Sequence, residues 1–523
     1  MKKKHWTLAL TAMVGLGTLT ACGTGSNAGT GSNTGTAGNT TAPTASSGSA
    51  STLNVGLSAD PPKLDPALSS ALVDRQVMIN IYDTLLQLGP SNQITPDLVK
   101  SYTVSTDEKT YTLQLQSGVT FQDGTPFNAA AVKFNLERDM QKSSPRHAAL
   151  AAVTAIDTPD SSTVVIHLKR AFSPLLSILT GRTGMMVSPT AVQKEGASFV
   201  NHPVGTGPFE FKDRIKGDHI TLTKNPHYWQ TEPHFDKVVF KIFTDPNVEY
   251  MNLQSGAVQI VDTVPAQQIK SLQQNPAFSL INQPGFGYQG IWLNVKSGPF
   301  TNQYLREAVN MAINRQTVVN VVLNGAAVPG YSPFGPGSPA YNAAEDTPPT
   351  PNAATVKQLL AQGGQPNGFS FTMQISADPV TAQMAQVIQS MLATYGIKMQ
   401  IHQLEFGTLL ADSENGSFQA LQLGWSGRLD PDQNIYSFFY TGGPLNSANF
   451  SNPQVDNLLA LARTENTMSQ RAATYAQVMD ILHQQAPYVF LYHPNNVIGY
   501  TKKLQGFQYL PDGLIRAANL SLQ

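Results

Sequence analysis

Past the first fifty residues, hydrophobic positions recur on two periods. Leu53-Asn54-Val55-Gly56-Leu57 is a short apolar run stopped by the turn-rich Asp60-Pro61-Pro62, and it predicts a strand. Residues 71–88 carry Val73, Val77, Ile81 and Leu85 at helical spacing, which predicts one helix over the segment. Tyr111-Thr112-Leu113-Gln114-Leu115 alternates as a half-buried strand does, and Val164-Val165-Ile166-His167-Leu168 predicts a second strand in the same region. Further helices are predicted over 303–323, 379–395, 452–465 and 468–485, and further strands over 220–223, 237–243 and 290–295. The pattern is mixed α/β without a short-period repeat, which argues against a solenoid or propeller. The Pro/Gly-rich stretch 329–351 exceeds a routine connection and is expected to be an ordered excursion over the surface.

The first fifty residues differ in kind. Lys2, Lys3 and Lys4 precede an uncharged run from Trp6 to Ala21, too short to span a bilayer comfortably, as in a signal peptide. The run ends in Leu19-Thr20-Ala21-Cys22, which resembles the lipobox of bacterial lipoproteins, where the cysteine is diacylated and becomes the mature N-terminus. Two acyl chains on Cys22 would anchor stably where one would not. Residues 23–50 are uncharged and rich in Gly, Ser and Thr, and predict a disordered tether or a glycosylated stalk. No later segment has eighteen or more consecutive apolar residues.

Charge and cysteine content narrow the classes. With 33 Lys+Arg against 34 Asp+Glu the chain offers no basic field for nucleic acid or anionic lipid. Charged residues make up 13%, about half the usual ~25%, so the surface leans on neutral polar side chains. Cys22 is the sole cysteine, which excludes an intramolecular disulfide, a zinc ribbon and a Cys-ligated cluster. The chain after the tether suits about three domains at ~150 residues each.

Four segments in order along the chain carry a family resemblance. Residues 121–134 (FQDGTPFNAAAVKF) hold an Asp-Gly turn and Asn128 placed to cap a helix; 203–209 (PVGTGPF) is followed by Asn225-Pro226-His227-Tyr228-Trp229; 304–315 reads YLREAVNMAINR; and 424–432 reads GWSGRLDPD. Together they resemble the family 5 solute-binding proteins, the peptide and nickel receptors of bacterial ABC importers, over roughly residues 52–520. Ala131 stands where that family usually has Asp.

The resemblance implies an α/β fold of the type II periplasmic-binding-protein kind: two lobes closing about a hinge, plus an extra domain, three domains of which one is discontinuous. By carry-over, 1–22 is the lipoprotein signal peptide, 23–50 the tether, 51–81, 187–285 and 491–523 lobe I, 82–186 the extra domain and 286–490 lobe II. Segments 284–288 and 488–494 are the expected crossings between lobes.

For chemistry, Gly205-Thr206-Gly207 lacks the Lys of a P-loop and suits a tight turn. His202, His219, His227 and His234 form no metal-ligand spacing, and Ser188, Ser332 and Ser426 lie in no nucleophile elbow, so no catalytic residue, metal or cofactor is expected. In the loop that resembles the family's ligand-proximal segment, Gly424 permits close approach, Trp425 offers a flat apolar wall, and Ser426 is adjacent. Peptide-binding relatives place a carboxylate shortly after the Trp for the ligand's α-ammonium; here that position is Arg428, whose fork suits carboxylate or phosphate. Three readings stay open: Asp430 or Asp432 takes the amine, the ligand presents an anion to Arg428, or Arg428 is tied to one of those aspartates within the loop. Arg182 is a second candidate anion contact, Tyr288 a candidate cleft residue, and Trp292 and Asn294 are either cleft or strand core.

The expected function is a lipid-anchored extracytoplasmic receptor that captures a short peptide or peptide-like solute and delivers it to an ABC permease with its ATPase subunits, as a monomer, without catalysis or nucleic acid. An acidic, glutathione-type, sugar-phosphate-like or nickel-chelate ligand held by Arg428 is the alternative; a surface-tethered hydrolase or a sensor belongs to other classes.

Overall fold

The computed structural model describes residues 51–90 and 93–523. The signal peptide, Cys22 and the tether expected over 1–50 lie outside the described residues.

Among the described residues twelve strands join through one long strand, Tyr488–Thr501, on which the short Ala327–Pro329 also pairs. Its first part pairs antiparallel with Gln289–Leu293, in register Ile291 to Val489, and its second part pairs with Phe278–Pro284, in register Ile281 to Ile498. One set of strands continues through Ile260–Val261, Thr52–Leu57, Lys237–Ile242, His219–Lys224 and Phe209–Ile215. The other continues through Ala420–Gln422, Ser370–Ser376 and Lys398–Leu404. Thr52–Leu57 pairs parallel with both its neighbours, as does Ser370–Ser376, so helices must cross the faces, and both strands are rich in buried side chains.

A separate four-stranded antiparallel sheet runs in the order Val99–Val104, Thr110–Leu115, Thr163–Leu168, Val153–Asp157. Its apolar face and the helix Ala129–Asp139 form a core drawn from residues between Leu85 and Met186. That helix begins where the Asn128 side chain accepts the Ala131 N–H at 3.0 Å, so Ala131 costs no capping bond.

Two predicted helices are broken. The spacing of Val73, Val77, Ile81 and Leu85 reflects burial of all four, but the helix is only Leu72–Met78, and Leu86–Leu88 is a strand. Asn80 ends it by donating to Gln76 O at 2.9 Å and Ile515 O at 3.0 Å, which ties the chain to its C-terminal segment. Residues 303–323 split into Gln303–Ala312, Arg315–Val318 and a π-helical turn Val319–Leu323. The buried Arg315 guanidinium takes the carbonyls of Asn310 and Ile313, and Asn314 starts the next helix by accepting Thr317 N–H. The 329–351 stretch also departs from expectation. Ser332, Phe334, Ser338, Ala340 and Asp346 are buried, because Phe334 packs on Tyr475 and Asp346 pairs with the buried His493 at 3.0 Å.

Candidate functional site

The loop 424–428 is shaped by one buried amide. Asn434, on the helix Asp432–Phe439, accepts Trp425 Nε1–H at 3.1 Å and Arg428 N–H at 2.7 Å through Oδ1, and donates through Nδ2 to Arg428 O at 2.8 Å. The Tyr288 hydroxyl donates to the Asn434 carbonyl at 3.3 Å, and Tyr288 and Trp425 exchange both backbone hydrogen bonds at 2.9 and 2.8 Å. The loop is thereby clamped to the chain at 286–288. A Cβ on Gly424 would fall 2.2 Å from Tyr288 O, so the glycine serves the approach of the protein's own backbone.

Arg428 folds back over the Trp425 ring, with Cζ 4.3 Å from the centroid, and donates to Ser426 Oγ at 3.1 Å and to Gly427 O. It does not pair with the neighbouring carboxylates. Asp430 receives Arg471, with Nη1 3.0 Å from Oδ2, and Asp432 receives Arg463 at 2.7 and 2.9 Å. The loop-internal tie between Arg428 and either aspartate is therefore ruled out in this arrangement, and both carboxylates are committed to buried ion pairs.

Arg428 joins Arg75, Arg146 and Arg182, all between 2% and 8% exposed. Arg75 comes from the helix Leu72–Met78, Arg146 from the turn after Ala129–Asp139, and Arg182 from a short 3-10 turn after Leu175–Ile178. Each has a guanidinium nitrogen without a hydrogen-bond partner: Arg75 Nη1, Arg146 Nε, Arg182 Nη1 and Arg428 Nη2. A cavity of about 20 Å³, room for about one water, is lined by Arg75, Thr180, Gly181, Phe286, Arg428, Gln433 and Asp512. A second cavity of about 140 Å³ adjoins it through Leu88 and Thr180 and contains Asp83, Asp97, Tyr228 and Arg516.

Burial and mutual repulsion disfavour the guanidinium charges. Burial pushes Arg428 well below the ordinary arginine range, and the charges of Arg75, Arg182 and Arg146 push it further, with Asp512 opposing. Arg182 is lowered by burial, Arg146 and Arg75, and Arg75 is pushed down to about 10, mainly by burial. The neighbouring carboxylates only partly compensate. Burial lifts Asp74 to about 6 against hydrogen bonds from Lys63 N–H and Ser69 Oγ–H, and lifts Asp139 to about 8 against Arg146 and Arg138. Burial also raises Asp512, but Arg516, at 2.6 Å, and Arg75, at 3.7 Å, outweigh it and hold the carboxyl below its usual range. An unpaired cation in such an interior is costly, and an anion supplying acceptors to the four unpartnered nitrogens would relieve the cost.

The sequence-derived candidates thus fall into two sets. Arg182 and Arg428 meet in the cluster, and Ser426 sits beside Arg428. Trp425, Tyr288, Gly424, Asp430 and Asp432 build the walls behind it. Trp292 stacks among Phe438, Phe439 and Tyr488, and Asn294 holds the carbonyls of Gly416 and Phe418, so both are core. Gly205 and Gly207 approach the backbone at Ile81, where a Cβ would fall 2.3 and 2.6 Å away, as a structural turn does. Arg75, Arg146, Asp512 and Asn434 went unrecognised. Asp74-Arg75 inside an apolar helical stripe was the available signal, since a charged pair there needs interior partners.

Comparison with known proteins places the chain in a family. The model of the bacterial extracellular solute-binding proteins, family 5, middle region, matches residues 93–447. The chain is 34% identical over 464 residues to the glutathione-binding protein GsiB of Escherichia coli (strain K12), covering 86% of this chain and 90% of that protein. The periplasmic binding protein DppA from Helicobacter pylori in complex with peptide STSA superposes with a TM-score of 0.84 at 27% identity, covering 90% of this chain and 98% of the other. AgaA from A. tumefaciens R10 in complex with agropinic acid gives 0.84 at 27% identity, covering 90% and 99%. The resemblance carried by the four sequence segments holds, and with it the type II periplasmic-binding fold. The chain belongs to family 5 of the bacterial extracellular solute-binding proteins.

Proposed function

We propose that this solute-binding protein captures a peptide-like solute bearing an anionic group, held by Arg75, Arg146, Arg182 and Arg428, and delivers it to an ABC permease driven by separate ATPase subunits. The observation that carries the reading is the set of four buried guanidiniums, each with a nitrogen that has no hydrogen-bond partner. GsiB is a glutathione-binding protein by name and the AgaA structure is in complex with agropinic acid, and both ligands fit an anion-reading member better than a neutral peptide does. The rival in which Asp430 or Asp432 holds a free amine has to bring that amine to a buried carboxylate already paired with Arg471 or Arg463.

Mechanistically, residues 51–81, 187–285 and 491–523 act as one lobe, 286–490 as the other and 82–186 as the extra domain. The small cavity draws Arg75 and Asp512 from the first, Phe286, Arg428 and Gln433 from the second, and Thr180 and Gly181 from the third. A ligand there touches both lobes and stabilises the closed arrangement over the open one by its differential contacts. The chain catalyses no reaction, works as a monomer outside the cytoplasm, and is tethered by a lipid on Cys22.

The test is thermal denaturation against free tripeptides, N-blocked tripeptides and anionic peptide-like solutes. A true ligand at ~100 times its dissociation constant adds about 2.7 kcal/mol, a shift of a few degrees. Anionic solutes are expected to stabilise whether or not their amine is blocked, and Arg428→Ala is expected to abolish the shift. Stabilisation by free peptides alone would overturn the anion reading.

A further inference from the structure

We infer that the solute carries two anionic groups into the arginine cluster, so the receptor selects a dicarboxylate-bearing solute over an ordinary peptide with one carboxylate. This rests on the solute-receptor reading above. The charge balance carries it. Five buried or half-buried guanidiniums converge here: Arg75, Arg146, Arg182, Arg428 and, through Asp512, Arg516. Three carboxylates face them, Asp512 on Arg75 and Arg516, Asp74 on Arg182, and Asp139 on Arg146. Even with all three ionised, two positive charges remain in excess.

Other nearby acids do not discharge that excess. Asp65 is bound by Arg138, Asp430 by Arg471 and Asp432 by Arg463, so each is a closed neutral pair. Asp83 and Asp97, in the adjoining cavity, accept from Tyr228 and Trp229 and from Thr84 and Gln230. None of those donors is a cluster arginine, and burial lifts both carboxyls, Asp97 to about 7, toward the neutral form that adds no negative charge. A solute with one negative charge would leave a buried guanidinium uncompensated, whereas two negative charges neutralise the set. The four unpartnered nitrogens come from four side chains on separate segments, and they suffice for two carboxylates at two donor nitrogens each.

The experiment is calorimetric titration of the purified full-length protein with two probe pairs that differ by one negative charge. Alanyl-alanyl-glutamate is compared with alanyl-alanyl-glutamine, and glutathione with its monoethyl ester. The two-carboxylate member of at least one pair is expected to bind at least roughly tenfold more tightly than its partner. Arg428→Gln, which cuts the excess to one charge, is expected to shrink that ratio toward unity, and the comparison on the unaltered protein stands if the variant does not fold. Equal affinity within both pairs overturns the two-charge inference and leaves the receptor reading intact. No binding by any of the four probes, with binding of a neutral peptide or an uncharged solute, overturns both.

Discussion

Asn434 and Arg428 are joined at two points, Oδ1 to the Arg428 N–H at 2.7 Å and Nδ2 to the Arg428 carbonyl at 2.8 Å. One buried side-chain amide thus replaces a strand partner for the loop, and its position sets where the Arg428 guanidinium leaves the backbone. Asn434→Ala is expected to destabilise the protein by about 2–4 kcal/mol, because the Trp425 indole N–H and both backbone groups of Arg428 lose their partner in the interior. Anion affinity should fall in parallel. Urea denaturation checks it, and an unchanged midpoint would contradict the clamp.

Gly427 is the other local requirement. Its φ of +75° lies in the left-handed region, and an added Cβ would fall 2.1 Å from Phe286 C. Gly427→Ala should cost at least ~2 kcal/mol and displace either Phe286 or Arg428, both of which line the small cavity. The readout is loss of ligand-induced stabilisation together with a lowered midpoint. A variant that binds as the parent does would show that this backbone does not shape the site.

The carboxyl of Asp139, lifted by burial to about 8 from an ordinary value of 3.8, makes stability depend on pH. Between those values the folded state holds a proton that the unfolded state has lost, so stability from this group falls as pH rises through the window and the cost is complete above about 8. Asp139→Asn should therefore match the parent near pH 4 and exceed it at pH 8.5 by roughly 2–5 kcal/mol. Denaturation at the two pH values tests the sign. A variant weaker at pH 8.5 would mean that the ionised carboxylate is needed on Arg146.

Asp430 and Asp432 serve the scaffold in this account. Replacing Asp430 by Ala strands the buried Arg471 and should cost about 3–5 kcal/mol. Free and N-acetylated forms of one anionic peptide should then lose affinity equally. A loss confined to the free-amine form would assign the ammonium to Asp430.

Much of this was legible in the chain. Strands such as Thr52–Leu57 and Thr163–Leu168 follow from local alternation, and Met468–Gln485 begins and ends where its pattern does. The helices at 71–88 and 303–323 were misjudged because apolar spacing reports burial, while their ends are set by long-range bonds, Asn80 to Ile515 and Arg315 to Phe490. The site shows the same division. Arg428 and Arg182 stood out against glycine-rich surroundings, but Arg75, Arg146 and Asp512 are brought together from segments far apart in the chain, and nothing local marks them as neighbours. Asn434 lies on a short helix, Asp432–Phe439, outside the predicted elements, and only the fold sets it beside the loop it supports.

The most direct measurement is a crystal structure of the protein bound to an anionic peptide-like solute, glutathione being the first to try. The account predicts carboxylate oxygens within hydrogen-bond distance of at least three of Arg75 Nη1, Arg146 Nε, Arg182 Nη1 and Arg428 Nη2. A ligand bound away from these four side chains, or one whose free amine sits on Asp430 or Asp432, would contradict it.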